Sequence, residues 1–512
     1  MSASTDRKMR QDAIASGVDR KTLAAMEEEK KRKKSKAKWT FGSIVVVLLI
    51  AAILILNSNI FYTRAAAVTI GDEDYTTAQF EYYFKNQYFG FVTQYGDYIS
   101  MFGLNTQQPL KSQDCPMLED GTWFDYFKEQ AITGMTQITA LSDYAKENGL
   151  ELTDEDYAEI DAQIDSYRNN EEAANYKTLD KYLAAIYGRG FTEEVLRGEL
   201  ERSVLAQKAY DSVSDSYTFT DGELETWYQE HKDEYDMFDY DYYLVSAEKV
   251  EAPAESEDAE PTTAVTDETM AAAKLTADAI AAAAKNGTLN EAVAANVADA
   301  AANEQTNAMG SNITDDYAQW LKDSARVKGD VTVIESADTG YYVVVFNGRN
   351  NNHYNLQMAR HILIKAVEGE DGTYTDEAKA TAKAEAERLM AEWKAGDATE
   401  ESFASMAGQY SEDPGSKENG GLYDAIANGQ MVAEFNDFVY DPARKTGDVS
   451  VVYGESQNYA GYHVVYYVGQ SDVVYSDYIA ENVMRDEKMT AWQEELVANY
   501  TSSTHFALRY AT

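Results

Sequence analysis

The sequence predicts an α+β protein with an N-terminal membrane helix, a long helical region and two domains in which an antiparallel sheet is flanked by helices. Three observations carry this prediction. An apolar run without charges follows a basic segment near the N-terminus. Helix-start signals then recur up to about residue 236. Beyond that point, a set of β-branched and aromatic runs occurs twice, each time with helical stretches in between.

The charge of the chain is unevenly distributed. Its 512 residues include 88 acidic and 44 basic ones, a net charge of −44. Residues 1–64 hold 13 basic and 6 acidic residues, a net of +7, so the remainder carries −51. That field repels nucleic acid and argues against nucleic-acid binding, whereas it suits cationic clients. Cys115 is the only cysteine, so no intrachain disulfide is possible.

The N-terminal segment predicts a single membrane span. Residues 1–38 form a basic cytoplasmic tail, and residues 39–57 form an apolar stretch near the lower length limit for crossing a bilayer. By the positive-inside rule, the tail stays in the cytoplasm and the bulk of the chain is extracytoplasmic, at the cell membrane. The alternative is a cleaved signal peptide with a cleavage site at Ala65-Ala66-Ala67.

A helical region is predicted for residues 58–236. Thr76 with Gln79, and Thr220 with Glu223, have the spacing of capping boxes. Aromatic residues are dense in the first part of this region, which favours a helical core. The alternative is an aromatic cradle that binds unfolded segments, because tyrosine and phenylalanine offer a large contact area at a low entropy cost.

Residues 354–470 contain two strand-like runs that each carry a histidine. Met358–Ile364 includes His361, and Gly461–Tyr467 includes His463, although the whole chain has only five histidines. Polar and apolar motifs lie between these runs, in the order Tyr410-Ser411-Glu412-Asp413-Pro414-Gly415-Ser416-Lys417, Gly420-Gly421-Leu422, Gln430-Met431-Val432 and Phe435.

In this order and spacing, the motifs resemble the parvulin family of peptidyl-prolyl isomerases over about 110 residues. The resemblance implies catalysis of cis/trans isomerisation at Xaa-Pro bonds, without a metal or a cofactor. It also implies two groups of site residues, a polar cluster of His361, Asp413 and His463 and a proline pocket of Leu422, Met431 and Phe435. One residue more separates Leu422 from Met431 than in compact parvulins.

Alternative interpretations exist for the polar residues. By resemblance, Asp413 stands where some parvulins have cysteine, so a covalent thiol mechanism is unnecessary and an electrostatic role is expected. Alternatively, Asp413 is a turn residue, because the sequence Asp413-Pro414-Gly415 is typical of turns. The histidines could instead be structural, holding the sheet beneath the pocket.

The loop after the first histidine strand bears on substrate choice. Phosphate-directed parvulins present a basic cluster there, whereas this chain follows Lys365 with Glu368, Glu370 and Asp371. These carboxylates would repel a phosphoserine. A preference for phosphorylated substrates is therefore not expected.

Residues 237–348 parallel the second domain and predict a degenerate parvulin-like copy. Gly340-Tyr341-Tyr342-Val343-Val344 matches the run at His463, and Tyr242 stands where the second copy has His361. The Asp-Pro-Gly-Ser and Gly-Gly-Leu motifs have no clear counterpart. We expect this copy to have the fold without the activity; chance similarity is the alternative.

The layout resembles exported PrsA- and SurA-type foldases, in which a C-terminal helix folds back to complete the helical chaperone region. Residues 471–512 are the expected equivalent. The resemblance implies a membrane-anchored extracytoplasmic foldase whose partners are newly exported or unfolded proteins containing proline. The alternatives are a holding chaperone or surface assembly factor with a vestigial isomerase site, and a structural envelope protein.

Overall fold

The computed structural model describes residues 7–8, 11, 15, 17, 20–57, 59–251, 263–369, 372–456 and 459–512. The predicted tail therefore lies partly outside the described residues, as do Glu370 and Asp371. The chain divides into two compact units. Unit 1 comprises Met1–Tyr217 with Lys488–Thr512, and unit 2 comprises Thr218–Glu487.

Unit 1 is mainly helical. Its elements before residue 218 are α1 (Arg20–Asn57), α2 (Ile60–Thr63), β1 (Ala66–Ile70), β2 (Glu73–Thr76), α3 (Thr77–Tyr95), α4 (Trp123–Glu147), α5 (Asp154–Arg168), α6 (Leu179–Tyr187) and α7 (Glu193–Ser216). Helix α3 starts at the predicted capping box, where Thr76 Oγ1 accepts the N–H of Gln79 at 3.3 Å and Gln79 Oε1 accepts the N–H of Thr76 at 3.0 Å. These bonds satisfy N–H groups that have no partner within the helix.

Aromatic side chains build the core of unit 1. Phe80, Phe84, Trp123 and Phe127 are at most 1% exposed, and the rings of Trp123 and Phe127 lie 5.6 Å apart. The helical-core interpretation therefore holds for these residues. Tyr98, in contrast, is 69% exposed, so a surface for clients can include only part of the aromatic set.

Unit 2 begins with α8 (Asp221–Tyr235) and continues into a first sheet domain, residues 237–350. Its elements are β3 (Met237–Ser246), β4 (Val250–Glu251), β5 (Thr263–Ala264), α9 (Asp267–Ala284), α10 (Leu289–Asn296), β6 (Asn303–Met309), α11 (Asp315–Lys322), β7 (Asp330–Ser336) and β8 (Gly340–Asn350). The four-stranded antiparallel sheet has the order β6-β3-β8-β7. Ile280 of α9 packs against one face of the sheet, and Tyr317 of α11 packs against the other.

The second sheet domain, residues 355–474, repeats this arrangement. Its elements are β9 (Asn355–Lys365), α12 (Asp376–Ala395), α13 (Glu400–Tyr410), β10 (Leu422–Ile426), α14 (Ala433–Tyr440), β11 (Val449–Ser456) and β12 (Tyr459–Val474). The antiparallel order is β10-β9-β12-β11. Leu389 and Phe403 from α12 and α13 pack on one face, and Phe435 of α14 packs on the other. The α+β class with antiparallel sheets is thus confirmed.

Strand register shows which residues of the two domains are equivalent. Gly340 pairs with Ser246 in the first domain, and Gly461 pairs with Lys365 in the second. Counting from these pairs, Tyr242 takes the strand position of His361. By the same count, Tyr342 takes the position of His463.

The end of the chain contributes to unit 1. After α15 (Tyr475–Val497), strand β13 (Ser502–Thr504) pairs antiparallel with β1, with Thr504 opposite Val68. Thr77 Oγ1 also donates to the carbonyl of Ala507 at 3.0 Å. These bonds place the last residues within the core of unit 1. They belong to the segment that was expected to complete the helical region.

The predicted membrane span over residues 39–57 falls within α1. Among the residues that the structure describes, no helix has the length and apolar character needed to cross a bilayer. The spanning helix predicted from the sequence is therefore not confirmed. The side chains of residues 51–57 are not among those described.

Candidate active site

Two adjacent strands of the second sheet domain bring His361 and His463 together. β9 and β12 are antiparallel neighbours, and His361 lies opposite Val465 while His463 lies opposite Leu363. Both histidines point to the same face of the sheet, because residues two apart on a strand share a face. Their Nδ1 atoms are 3.0 Å apart, and their rings are nearly parallel at 5.2 Å. Each histidine is only 4% exposed.

Asp413 adds a carboxylate to this pair. Its Oδ2 accepts from Nε2–H of His361 at 2.8 Å, from the hydroxyl of Ser416 at 2.5 Å and from the hydroxyl of Tyr423 at 3.1 Å. The hydrogen bond from His361 is the largest cause that holds the pKa of Asp413 far below its ordinary value, and it outweighs the opposing effect of burial. Asp413 is therefore an anion at any physiological pH.

The loop that carries Asp413 is fastened to strand β9. Ser411 is buried, and its Oγ accepts the N–H of Leu363 at 3.2 Å and the N–H of Asp413 at 3.3 Å. The N–H of Glu412 donates to the carbonyl of Leu363 at 2.9 Å. These bonds hold the carboxylate at a set distance from the histidine strand.

His463 is a neutral group at ordinary pH. Burial is the main cause that lowers the pKa of His463 to about 3, because an imidazolium loses its hydration there. Its Nε2 lies 3.0 Å from the hydroxyl of Tyr459. A chain of four groups therefore runs from Tyr459 through His463 and His361 to Asp413.

Two proton arrangements satisfy this chain. With His361 neutral, Tyr459 donates to His463, His463 donates to His361, and His361 donates to Asp413. With His361 protonated, His361 donates to both neighbours, and Nε2–H of His463 donates to Tyr459. The network therefore keeps all its hydrogen bonds in either charge state of His361.

Phe435 forms the apolar wall beside the histidines. Its ring lies 5.6 Å from each imidazole at a steep angle and is 1% exposed. Met431 is partly buried and packs against the hydrophobic cluster that contains Phe435. The structure thus brings together five of the six residues singled out from the sequence.

Leu422 is the residue that the structure does not bring into this cluster. In β10, Leu422 pairs with Arg360, whereas Tyr423 pairs with Ala359. Cross-strand partners share a face and successive residues alternate, so Tyr423 lies on the face of His361 and Leu422 on the opposite face. The ring of Tyr423 is 5.3 Å from that of His361. The predicted place of Leu422 beside His361 is therefore not observed, and Tyr423 stands there instead.

Three polar residues of the site were missed from the sequence: Ser416, Tyr423 and Tyr459. The one-residue excess between Leu422 and Met431 was a usable signal for Tyr423, because counting back from Met431 reaches Tyr423 instead. Ser416 lies within the quoted Asp413 motif, but its bond to the carboxylate follows only from the loop's fold. No sequence signal pointed to Tyr459.

Two glycines make room for the histidines. Gly421 has φ of +73°, and a Cβ there would lie 2.3 Å from the carbonyl oxygen of His361. A Cβ at Gly454 would lie 2.6 Å from Nε2 of His463. Side chains at these positions would displace the strand or the ring.

The first sheet domain has aromatic rings where the second has its site. Tyr242, Tyr317 and Tyr342 have centroids 5.1 to 6.2 Å apart, with Tyr317 on the helix equivalent to that of Phe435. The position equivalent to His361 therefore lacks an imidazole. Across the described residues of the whole chain, no group of three or more histidine, cysteine, aspartate or glutamate side chains is placed to hold a metal ion.

Comparison with known families agrees with this geometry. The family described as PPIC-type PPIASE domain matches residues 347–470, and the family described as SurA-like N-terminal domain matches residues 23–210. The chain thus carries a parvulin-type peptidyl-prolyl isomerase domain and a SurA-like helical region. The predicted resemblance to PrsA- and SurA-type foldases is confirmed.

Similar proteins are foldases and chaperones. Foldase protein PrsA 3 of Bacillus cereus is 32% identical over 96 residues, which cover 18% of this chain and 31% of that protein. Chaperone SurA of Alkalilimnicola ehrlichii is 25% identical over 314 residues, 60% of this chain and 66% of that protein. The chain thus spans about a third of the length of the PrsA relatives that it matches.

This chain is also similar to a solved structure of a PrsA protein. The crystal structure of peptidylprolyl isomerase PrsA from Bacillus anthracis is 24% identical, covering 29% of this chain and 59% of that chain, with a TM-score of 0.18.

Proposed function

We propose that this chain is a membrane-anchored extracytoplasmic foldase that catalyses cis/trans isomerisation of Xaa-Pro bonds and assists the folding of exported proteins. One observation carries the catalytic part: the Asp413–His361–His463 network lies against the apolar wall of Phe435. The similarity to PrsA and SurA proteins supports the foldase part.

Isomerisation of an Xaa-Pro bond requires few groups besides those of this site. Rotation about the imide bond faces a barrier of about 18–20 kcal/mol that comes from amide resonance, so no bond to the substrate needs to break. Phe435 and Met431 would hold the proline ring by apolar contact and remove water from the imide. The carboxylate of Asp413, ionised in advance, would favour the charge distribution of the twisted imide.

Tyr423 and Tyr459 would act as positioning residues in this mechanism. The hydroxyl of Tyr423 fixes the carboxylate of Asp413, and the hydroxyl of Tyr459 fixes the ring of His463. Both bonds reduce the reorganisation that the site needs when a substrate enters.

The first sheet domain would have the fold without the activity. The tyrosines at the positions of His361 and His463 cannot provide the imidazole pair, and the Asp-Pro-Gly-Ser motif that supplies Asp413 has no counterpart there. An aromatic cluster can bind an apolar segment, but it lacks the anion that our mechanism requires.

The test of catalysis is proline isomerisation measured by NMR exchange on an unphosphorylated Xaa-Pro peptide with the full chain. Asp413→Asn keeps the size of the side chain and removes its charge, so we expect a loss of about tenfold or more in catalytic efficiency. Asp424→Asn, on the same strand as Tyr423 and exposed, is the matched control and should be unchanged. Equal activity of the two variants would show that Asp413 does not act.

A holding chaperone with a vestigial isomerase site is the second candidate. The SurA-like helical region favours it, as do side chains on the surface of unit 1, where Tyr98, Met101 and Met117 are 69%, 79% and 41% exposed. This candidate predicts that the full chain suppresses aggregation of an unfolded client while it leaves the isomerisation rate of the peptide unchanged.

The membrane anchor is proposed from the sequence, with residues 39–57 as the span. The side chains of Trp39, Phe41 and Leu48 are 77%, 71% and 62% exposed, a surface that suits lipid. Extraction of membranes with alkaline carbonate tests the proposal. Retention of the full chain in the pellet is expected, and its release into the supernatant would contradict an integral anchor.

A further inference from the structure

Unit 1 has a groove with a lining opposite in charge to most of the chain. The groove has a volume of about 620 Å³, and Lys111, Lys128, Phe506 and Arg509 line it together with His505. Lys111, Lys128, Arg509 and Phe506 are termed the basic patch. The patch is unusual because the residues after Arg64 carry a net charge of −51, from the total of −44 and the +7 of residues 1–64.

The cations of the basic patch are only partly neutralised. Lys128 pairs with Asp125 at 2.7 Å. Lys111 lies 4.3 Å above the ring of Phe124 and donates to the carbonyl of Ala511. Within the described part of the chain, neither Lys111 nor Arg509 forms an ion pair with a carboxylate. The charge of Lys111 also acts on the buried carboxylate of Glu81. The three cations of the patch thus outnumber these two carboxylates, Asp125 and Glu81.

The basic patch adjoins the residues that follow the proposed membrane span. Phe506 is 59% exposed, and its ring lies 6.3 Å from that of Phe61. Phe61 in turn stacks on Tyr510 at 4.9 Å, and it follows the end of α1 at Asn57 by four residues. Ile60, beside Phe61 in the chain, is 42% exposed. A chain anchored through residues 39–57 would hold this face within a few residues of the bilayer.

We propose that the basic patch docks on anionic lipid headgroups of the bilayer that holds the anchor. Lys111, Lys128 and Arg509 would contact the phosphates, and Phe506 would enter the interfacial layer, where aromatic rings are favoured. This inference rests on the anchoring part of the proposed function and is independent of the isomerase.

Attraction between the basic patch and the headgroups can act at short range although the ectodomain as a whole is negatively charged. An ectodomain with a net charge of −51 is repelled by an anionic bilayer. However, charges that lie more than about 10 Å from the headgroups are largely screened at moderate salt. The cations nearest the headgroups therefore decide the orientation of unit 1. Docking would fix one face of the helical region against the membrane and leave its other faces open to emerging clients.

The test uses the full chain in lipid nanodiscs with a fluorophore beside the patch. In a Cys115→Ser background, Ser112→Cys places the label next to Lys111 at an exposed position. Some lipids carry a quencher on the headgroup. The bilayer is either neutral phosphatidylcholine or contains about 30% phosphatidylglycerol, an anionic lipid.

Two charge-matched variants separate docking from net charge. The patch variant carries Lys111→Gln, Lys128→Gln and Arg509→Gln, and the control variant carries Lys285→Gln, Lys328→Gln and Lys445→Gln, all exposed and outside the patch. Each cation near an anionic surface favours docking about fivefold, so the patch variant should lower the docked-to-free ratio on the order of a hundredfold. The control variant should match the parent chain, and isomerase activity should be equal in all three.

The outcomes separate this inference from the anchor. Quenching that needs anionic lipid, falls at high salt and disappears in the patch variant alone supports docking. Equal quenching in neutral and anionic bilayers, or in both variants, overturns docking while carbonate retention still supports the anchor. A response to polyglutamate, but not to lipid composition, would assign the patch to an acidic peptide and overturn the inference. Release by carbonate overturns the anchor and docking together.

Discussion

Gly454→Ala is the sharpest perturbation of the histidine pair. Gly454 lies on β11 opposite Gly461, and a Cβ there would lie 2.6 Å from Nε2 of His463 and 2.9 Å from a methyl group of Val432. The strand itself does not require glycine. The equivalent of Gly454 in the first sheet domain is Ser336, which pairs with Gly340. The glycine therefore serves the histidine.

The size of the effect follows from these distances. An ordinary contact begins at 3.4 Å, so the ring of His463 must move by about 0.8 Å, the difference from 2.6 Å. A shift of that size breaks the 3.0 Å bond to His361 or the 3.0 Å bond to Tyr459. The loss of one positioned hydrogen bond costs about 1–2 kcal/mol, or roughly 5–30-fold in catalytic efficiency. Overpacking also lowers the free energy of unfolding by about 1–3 kcal/mol.

The assay is NMR exchange on an unphosphorylated Xaa-Pro peptide, with urea unfolding followed in parallel. Gly222→Ala is the matched control, because a Cβ at this helical glycine meets no atom within 4 Å. The control should keep full activity and should not lose stability. If Gly454→Ala retained activity within twofold of the parent chain, the position of His463 would not matter for catalysis, and the proposed network would be wrong.

Two further predictions concern the same site, and a third concerns the first sheet domain. Tyr423→Phe removes one donor to Asp413, so the catalytic efficiency should fall by about three- to tenfold with the fold unchanged, as measured by NMR exchange and circular dichroism. The free energy of unfolding should decrease as the pH falls below about 6.5, because His463 takes up a proton in the unfolded chain but stays neutral in the folded chain down to about pH 3. Urea midpoints at pH 7 and pH 5 measure this decrease. The His463→Gln variant should show a weaker dependence of stability on pH. Replacement of Tyr242 and Tyr342 by histidine should not create activity in an Asp413→Asn background, because the first sheet domain still lacks the carboxylate.

Each of these predictions has a result that would contradict it. Unchanged activity of Tyr423→Phe would mean that Asp413 is held well enough by His361 and Ser416. A steeper loss of stability in acid for His463→Gln than for the parent would reverse the sign assigned to His463. Activity gained by the tyrosine-to-histidine variant would show that an imidazole pair is sufficient without an anion.

Local signals in the sequence determined much of the architecture. The capping boxes at Thr76 and Thr220 predicted helix starts that the structure has, because the side-chain and main-chain partners are three residues apart. The matched strand runs around His361 and His463 predicted an imidazole pair, and Phe435 was expected beside it. The helix starts needed only spacing along one element, whereas the roles of the two histidines and of Phe435 were implied by the resemblance of the motifs to parvulins.

Only the tertiary structure decided which residues face the site. Alternation along a strand has a period of two, so an error of one residue in β10 moves Leu422 to the wrong face and puts Tyr423 in its place. Gly454 matters only because β11 and β12 are adjacent in a particular register. The sequence by itself thus determined the elements and the chemistry available to them, whereas the pairing of distant strands decided which side chains meet, because that choice depends on contacts across the sheet.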